Sequence, residues 1–150
     1  MSVLVGTSTG RVYLYSLEKK KVLARRGECS LANAVTGLNW LGASRNIVYA
    51  NRKGELVVSN IDDELQTVGD KVIDDCVSMT SAHTSVVVGD KSGNLKLISL
   101  DYTQEDDSYA LGEPTALLDK PREKLVKVAF DQHTNTRVGV LCKEQPPAVS

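Results

Sequence analysis

The chain has 150 residues, 41% apolar and 25% charged, with a formal net charge of -1. That is the size and composition of one globular domain with enough apolar side chains to fill a core, and it excludes a disordered chain. No run approaches the about 18 consecutive apolar residues of a membrane-spanning helix, and Met1-Ser-Val-Leu lacks a signal-peptide pattern, so an intracellular protein is expected.

Val3 to Leu17 (VLVGTSTGRVYLYSL) starts the chain as strand, tight turn, strand, and the same fifteen-residue unit returns without gaps at Ile47 to Ile61 and Val86 to Leu100. Its eighth position is always glycine, Gly10, Gly54 and Gly93, and after it apolar residues recur at every second place, the period of a half-buried strand. A polar loop ending in glycine is a hairpin turn, because glycine takes the positive φ that a Cβ resists. The glycines lie 44 and 39 residues apart. A period of about 40 to 45 residues with four strands per repeat is that of propeller blades.

On this register Val3 to Leu17 supplies the third and fourth strands of a blade, its outer half. Glu18 to Lys21 is a polar turn, Val22 to Arg26 the short innermost strand of the next blade, and Glu28 to Ala34 a connecting loop. Val35 to Trp40 (VTGLNW) follows as that blade's second strand, with Leu38 and Trp40 as its buried face, and Ile47 to Ile61 completes it. The third blade is expected from Leu65 to Leu100, with Cys76 to Thr80 inside it and Val77 and Met79 buried. Asp101 to Pro114 reads as a long, acidic, mobile loop. Thr115 to Asp119, Leu125 to Phe130 and Arg137 to Cys142 give three strands of a fourth blade, and Pro146-Pro147 cannot join a ladder. The expected architecture is all-β: residues 1–145 a partial propeller of about three to four blades belonging to a longer ring of about seven, residues 146–150 a tail. A closed small propeller is the alternative.

Catalytic and metal-binding patterns find no support. His83 and His133 have no cysteine or paired carboxylate beside them, and Asp62-Asp63, Asp74-Asp75 and Asp106-Asp107 sit in turns, where Asp bonds the local backbone. Cys29, Cys76 and Cys142 are widely spaced and read as buried free thiols. No enzyme, cofactor, metal, membrane or small-molecule substrate is expected. Charge is uneven: nine Lys and Arg face three Glu up to Asn60, and nine basic face sixteen acidic residues from Ile61. Lys19, Lys20, Lys21, Arg25 and Arg26, with Arg45, Arg52 and Lys53 in loops of the next blade, are the candidate partner-binding residues, suited to phosphate contacts. Tyr13, Tyr15, Tyr49 and Trp40 read as packing residues.

These residues resemble a divergent WD-repeat protein, with Ser16-Leu17, Asn60-Ile61 and Ser99-Leu100 where the usual Trp-Asp would stand. Val5-Gly-Thr-Ser-Thr-Gly10, Ala34 to Trp40, Asp131-Gln-His-Thr134 and Lys143-Glu-Gln145 are similar, in that order, to segments of the family of WD repeat-containing protein 74 and its fungal relatives. The resemblance implies a WD40-like β-propeller acting as a non-enzymatic scaffold in maturation of the large ribosomal subunit. It also implies a place in the nucleus and nucleolus, and contacts with pre-ribosomal proteins, rRNA and an AAA-type remodelling ATPase. A generic adaptor in a chromatin or trafficking complex, nuclear or cytoplasmic, is the alternative.

Overall fold

The computed structural model describes residues 2–18, 21–30, 33–42, 46–60, 70–82, 84–117, 125–130 and 138–142. Within them every strand pair is antiparallel and no helix occurs. The first sheet is β1 (Ser2–Gly6), β2 (Arg11–Glu18) and β3 (Lys21–Ser30), in that spatial order. The second is β4 (Val35–Trp40), β5 (Asn46–Asn51), β6 (Glu55–Asn60) and β7 (Asp70–Lys71). The third runs β8 (Cys76–Ser81), β9 (Ser85–Asp90), β10 (Leu95–Thr103), whose far edge is covered by β11 (Ser108–Leu111) and β12 (Thr115–Ala116). The fourth pairs β13 (Leu125–Phe130) with β14 (Val138–Cys142). Four up-and-down sheets in sequence are the blades expected.

Their phase differs from the expectation by one strand. The repeated hairpins are β1–β2, β5–β6 and β9–β10; the last two are the middle pairs of their sheets, with β4 and β8 inside them and β7 and β11 outside, and β1–β2 has β3 outside it. Val22 to Arg26 does not begin the second blade, since β3 pairs along β2 from Glu18↔Lys21 to Arg11↔Ser30. The cause is connection length: two residues separate β2 from β3, enough only for the chain to turn back on itself. Glu28 to Ser30 is strand and not loop for the same reason. Likewise Thr115 and Ala116 do not start the fourth blade but pair with Leu97 and Lys96 in the third. Leu65, the expected start of the third blade, and Asp119 lie outside the described residues.

Asp101 to Pro114 is also corrected. Its first half prolongs β10 and its second half is β11, in register from Leu100↔Leu111 to Thr103↔Ser108. The alternation Tyr102, Tyr109, Leu111 is what the acidic composition concealed. The two tyrosine rings pack across the hairpin at 4.8 Å, and Tyr109 and Leu111 rest on the core.

The repeat sorts side chains by face. Val12 and Leu14 of β2 meet Ile47, Tyr49 and Val57 of the second sheet. Val48, Ala50, Leu56 and Val58, on the second sheet's other face, meet Met79, Val86, Val88 and Ile98 of the third. Val87 and Leu95 then meet Val128, with Phe130 and Val138 packed alongside. Period-two alternation therefore produces three apolar layers between four sheets. Trp40 departs from expectation: it is 41% exposed at the end of β4, while the next residue, Leu41, is 1% exposed and fills the core instead.

The inner strands hold one another through side chains. Ser78 and Thr80 of β8 accept the backbone N–H groups of Val128 (3.1 Å) and Phe130 (3.3 Å), and Asn39 of β4 donates to the Ser81 hydroxyl at 3.0 Å. An innermost strand has no further strand to bond, so hydroxyls from the neighbouring blade satisfy its free N–H groups.

Candidate functional site

One end of the sheets is built by the three repeated turns. In each, the glycine N–H bonds back three residues: Gly10 to Thr7 O (3.2 Å), Gly54 to Asn51 O (3.0 Å) and Gly93 to Asp90 O (3.2 Å). The glycines hold φ of 91°, 93° and 96°. The residue at the fifth position of each unit closes the turn with its side chain. Thr7 Oγ1 accepts from Arg11 N (3.0 Å), Asn51 Oδ1 from Glu55 N (3.0 Å) and Asp90 Oδ1 from Asn94 N (2.9 Å). Thr, Asn and Asp share an oxygen at the reach this requires.

Along this rim backbone bonds join the first two of the turns through Ala34 and Val35, and tie the second to Val72. Val35 N donates to Thr7 O (3.0 Å), Arg52 N to Ala34 O (2.7 Å) and Val72 N to Gly54 O (2.9 Å). On the rim the Arg52 guanidinium meets Asp75 at 2.6 Å and Lys71 meets Asp74 at 2.7 Å, all four side chains about half exposed or more. The hydrogen bond from Lys71, and then its charge, hold the Asp74 carboxyl below the usual carboxylate range. Beside them lies a recess of about 260 Å³ lined by Ile73, Asp74, Asp90, Asn94, Lys96 and Ala116. Both Asp90 oxygens are engaged there by Asn94, from its N–H and from Nδ2 at 2.7 Å. Asp74, paired with Lys71, and Lys96 give the recess charges of both signs. Such an edge suits complementary polar contacts with another macromolecule.

The predicted basic residues are divided by the fold. Arg52 and Lys53 occupy the β5–β6 turn on this rim, where Asp75 already balances Arg52. Lys21 stands at the opposite end of the strands, paired in register with Glu18, and Arg25 lies midway along β3 opposite Tyr15. Arg26 falls at the irregularity beside that pair. Lys19, Lys20 and Arg45 lie outside the described residues, as do His83 and His133. The rim carboxylates and the fifth-position caps were missed in the sequence. The signal for the caps was present in the aligned Thr7, Asn51 and Asp90.

Among the described residues no group of three or more His, Cys, Asp or Glu could hold a metal ion. Cys76 is fully buried, receives a hydrogen bond from Thr36 Oγ1 (3.6 Å) and donates to Ser78 O (3.4 Å). Burial pushes its thiol up from the ordinary value, which holds it protonated and weakly nucleophilic.

No protein-family profile matches the sequence, and no curated protein matches it. Solved structures do. The chain is similar to the WD40 domain of coronin from Toxoplasma gondii, with a TM-score of 0.64 and 12% identity over 86% of this chain and 33% of that one. It is also similar to the computationally designed Ika4 protein, with a TM-score of 0.58 and 14% identity over 94% of this chain and 84% of that one. The likeness shows the fold, blades of a WD40-type β-propeller, and the chain spans 33% of the length of the coronin chain.

Proposed function

We propose that the chain is a non-enzymatic binding scaffold whose rim and basic strand engage the protein and RNA of large-ribosomal-subunit precursors. The observation that carries the scaffold reading is the rim itself. Three hairpin turns share one geometry, the first two are tied together by backbone bonds, and the second, with the segment after β7, presents Arg52, Lys53, Asp74 and Asp75 to solvent. A rigid edge with exposed charges of both signs offers polar contacts without ordering cost. The ribosomal assignment, with nucleolar localisation and contact to an AAA-type remodelling ATPase, is supported by the sequence likeness of Val5 to Gly10 and Ala34 to Trp40. Lys19, Lys20, Lys21, Arg25 and Arg26 are the residues to which RNA phosphate contacts fall on this reading, since Arg52 is already paired.

Tagged protein recovered from cells tests it. Large-subunit precursor RNA and proteins should co-purify, and exchanging Lys19, Lys20 and Lys21 for Glu should weaken recovery more steeply as salt rises. Recovery of chromatin or coat proteins without ribosomal precursors would favour a generic adaptor and reject the ribosomal assignment.

A further inference from the structure

We propose that Thr103 is a phosphorylation site for an acid-directed protein kinase, and that the phosphate loosens the β10–β11 hairpin from the second sheet. Thr103 is the last residue of β10 and pairs with Ser108, the first of β11, so the two form the final rung of the ladder. Strand alternation sets Asp101 and Thr103 on the face away from buried Leu100. Both are exposed, and so are Ala110 and Ser108 opposite them. The hydroxyl therefore stands towards solvent at the end of a hairpin, where pairs part at the lowest cost and an enzyme can reach the backbone.

The order of charges along the chain supplies the recognition. Three Ser or Thr residues have a carboxylate three places on: Ser59, Thr67 and Thr103. Ser59 is 2% exposed, and Thr67 lies outside the described residues. Only Thr103 has acid at the second, third and fourth places after it, as Glu105, Asp106 and Asp107, and no Lys or Arg stands between Lys96 and Lys120. A kinase whose substrate groove carries Lys and Arg beyond the acceptor position reads such a run by complementary charge, and a kinase that selects basic neighbours is repelled.

In the transfer Thr103 Oγ1 attacks the γ-phosphorus of ATP. The bond from oxygen to phosphorus forms, the bond from that phosphorus to the β,γ-bridging oxygen breaks, ADP leaves with the electron pair, and the hydroxyl proton passes to the kinase's carboxylate base. The product carries a charge of about -2 at neutral pH. Asp101 lies two places back on the same strand face, about 7 Å away, and Asp107 adjoins the cross-strand partner Ser108. Like charge thus gathers around the final rung. The same Asp107 accepts the Tyr102 hydroxyl and, through its carbonyl oxygen, the side chain of Asn46 in the second sheet. Repulsion that opens the hairpin end therefore pulls on the bond that ties it to the neighbouring sheet.

Incubation of the full chain with casein kinase 2 and ATP, followed by peptide mass spectrometry, tests the site. Phosphate should be found on Thr103, and Thr103→Val should lose it. Glu105→Gln/Asp106→Asn should slow incorporation by about tenfold or more, the size of effect that close charge pairs have on recognition. Far-UV circular dichroism and a cooperative melt establish that the variants fold; if the double variant does not, Glu105→Gln alone replaces it, with the same direction of effect. Amide exchange from Asp101 to Leu111 should be about tenfold faster in the phosphorylated chain than in the unmodified one, with the buried strands β5 and β9 unchanged. No incorporation, phosphate elsewhere with Thr103 unmodified, or a rate that the neutral variant leaves unaltered overturns the site. Unchanged exchange in the phosphorylated hairpin overturns the release.

Discussion

Asn46, 3% exposed at the head of β5, donates from Nδ2 to the carbonyl oxygen of Asp107 at 2.7 Å, and so ties the β10–β11 hairpin of the third sheet to the second. Asp107 holds a φ of 46° and accepts the Tyr102 hydroxyl at 2.7 Å, so one residue is both the bend of the hairpin and its anchor. Asn46→Ala should cost about 1 to 2 kcal/mol, the penalty of a lost buried hydrogen bond, and should speed amide exchange at Glu105 to Ser108. Unchanged exchange there would show that the hairpin is held by its own tyrosines alone.

Gly54 has two reasons to be glycine. It shares a positive φ with Gly10 and Gly93, and in addition a Cβ on it would fall on the carbonyl oxygen of Ile73. The left-handed backbone should make Gly10→Ala and Gly93→Ala cost about 1 to 2 kcal/mol, and the clash with Ile73 should bring Gly54→Ala to about 3 kcal/mol or more, read from urea unfolding. Equal losses at all three positions would remove Ile73 from the account.

Cys76 should be silent to thiol reagents in the native protein at neutral pH and react at the rate of global unfolding. Its folded value is raised by burial, so the native state holds its proton longer than the unfolded chain does. The contribution to stability is complete below the ordinary thiol value and is lost as pH rises through the folded one. Melts should accordingly fall above the ordinary thiol range by more in the wild type than in Cys76→Ala.

Trp40, the only tryptophan, is 41% exposed and should be readily quenched by acrylamide in the folded chain. Quenching as weak as that of a core indole would contradict its placement at the open end of β4.

The hairpins were legible because glycine and period-two alternation mark them from within. Their phase was not, because the strand that completes each blade carries no shared pattern: ten residues, Lys21–Ser30, in the first sheet and two, Asp70–Lys71, in the second. An edge strand packs little, so selection for core leaves few signs on it. Trp40 was misplaced because alternation cannot say where a strand stops, and the buried place falls to Leu41 one residue later. The basic residues were legible as a composition bias only. Whether Lys21 and Arg52 share an end depends on which way β2 and β5 run, and that is a property of the sheet.

The turn cap shared by Thr7, Asn51 and Asp90 has a kinetic side. Each cap closes a loop so short that its entropy cost is small, and the side-chain bond forms within the hairpin without help from any other sheet. The packed layers likewise join sheets adjacent in the chain. Assembly can therefore begin in sequence order, hairpin first and layer second, with ties between sheets such as Asn46 to Asp107 added once the later sheet has formed. Removing the Asn51 cap should slow refolding as well as speed unfolding, whereas truncating Val128, which joins only the last layer, should act on unfolding alone.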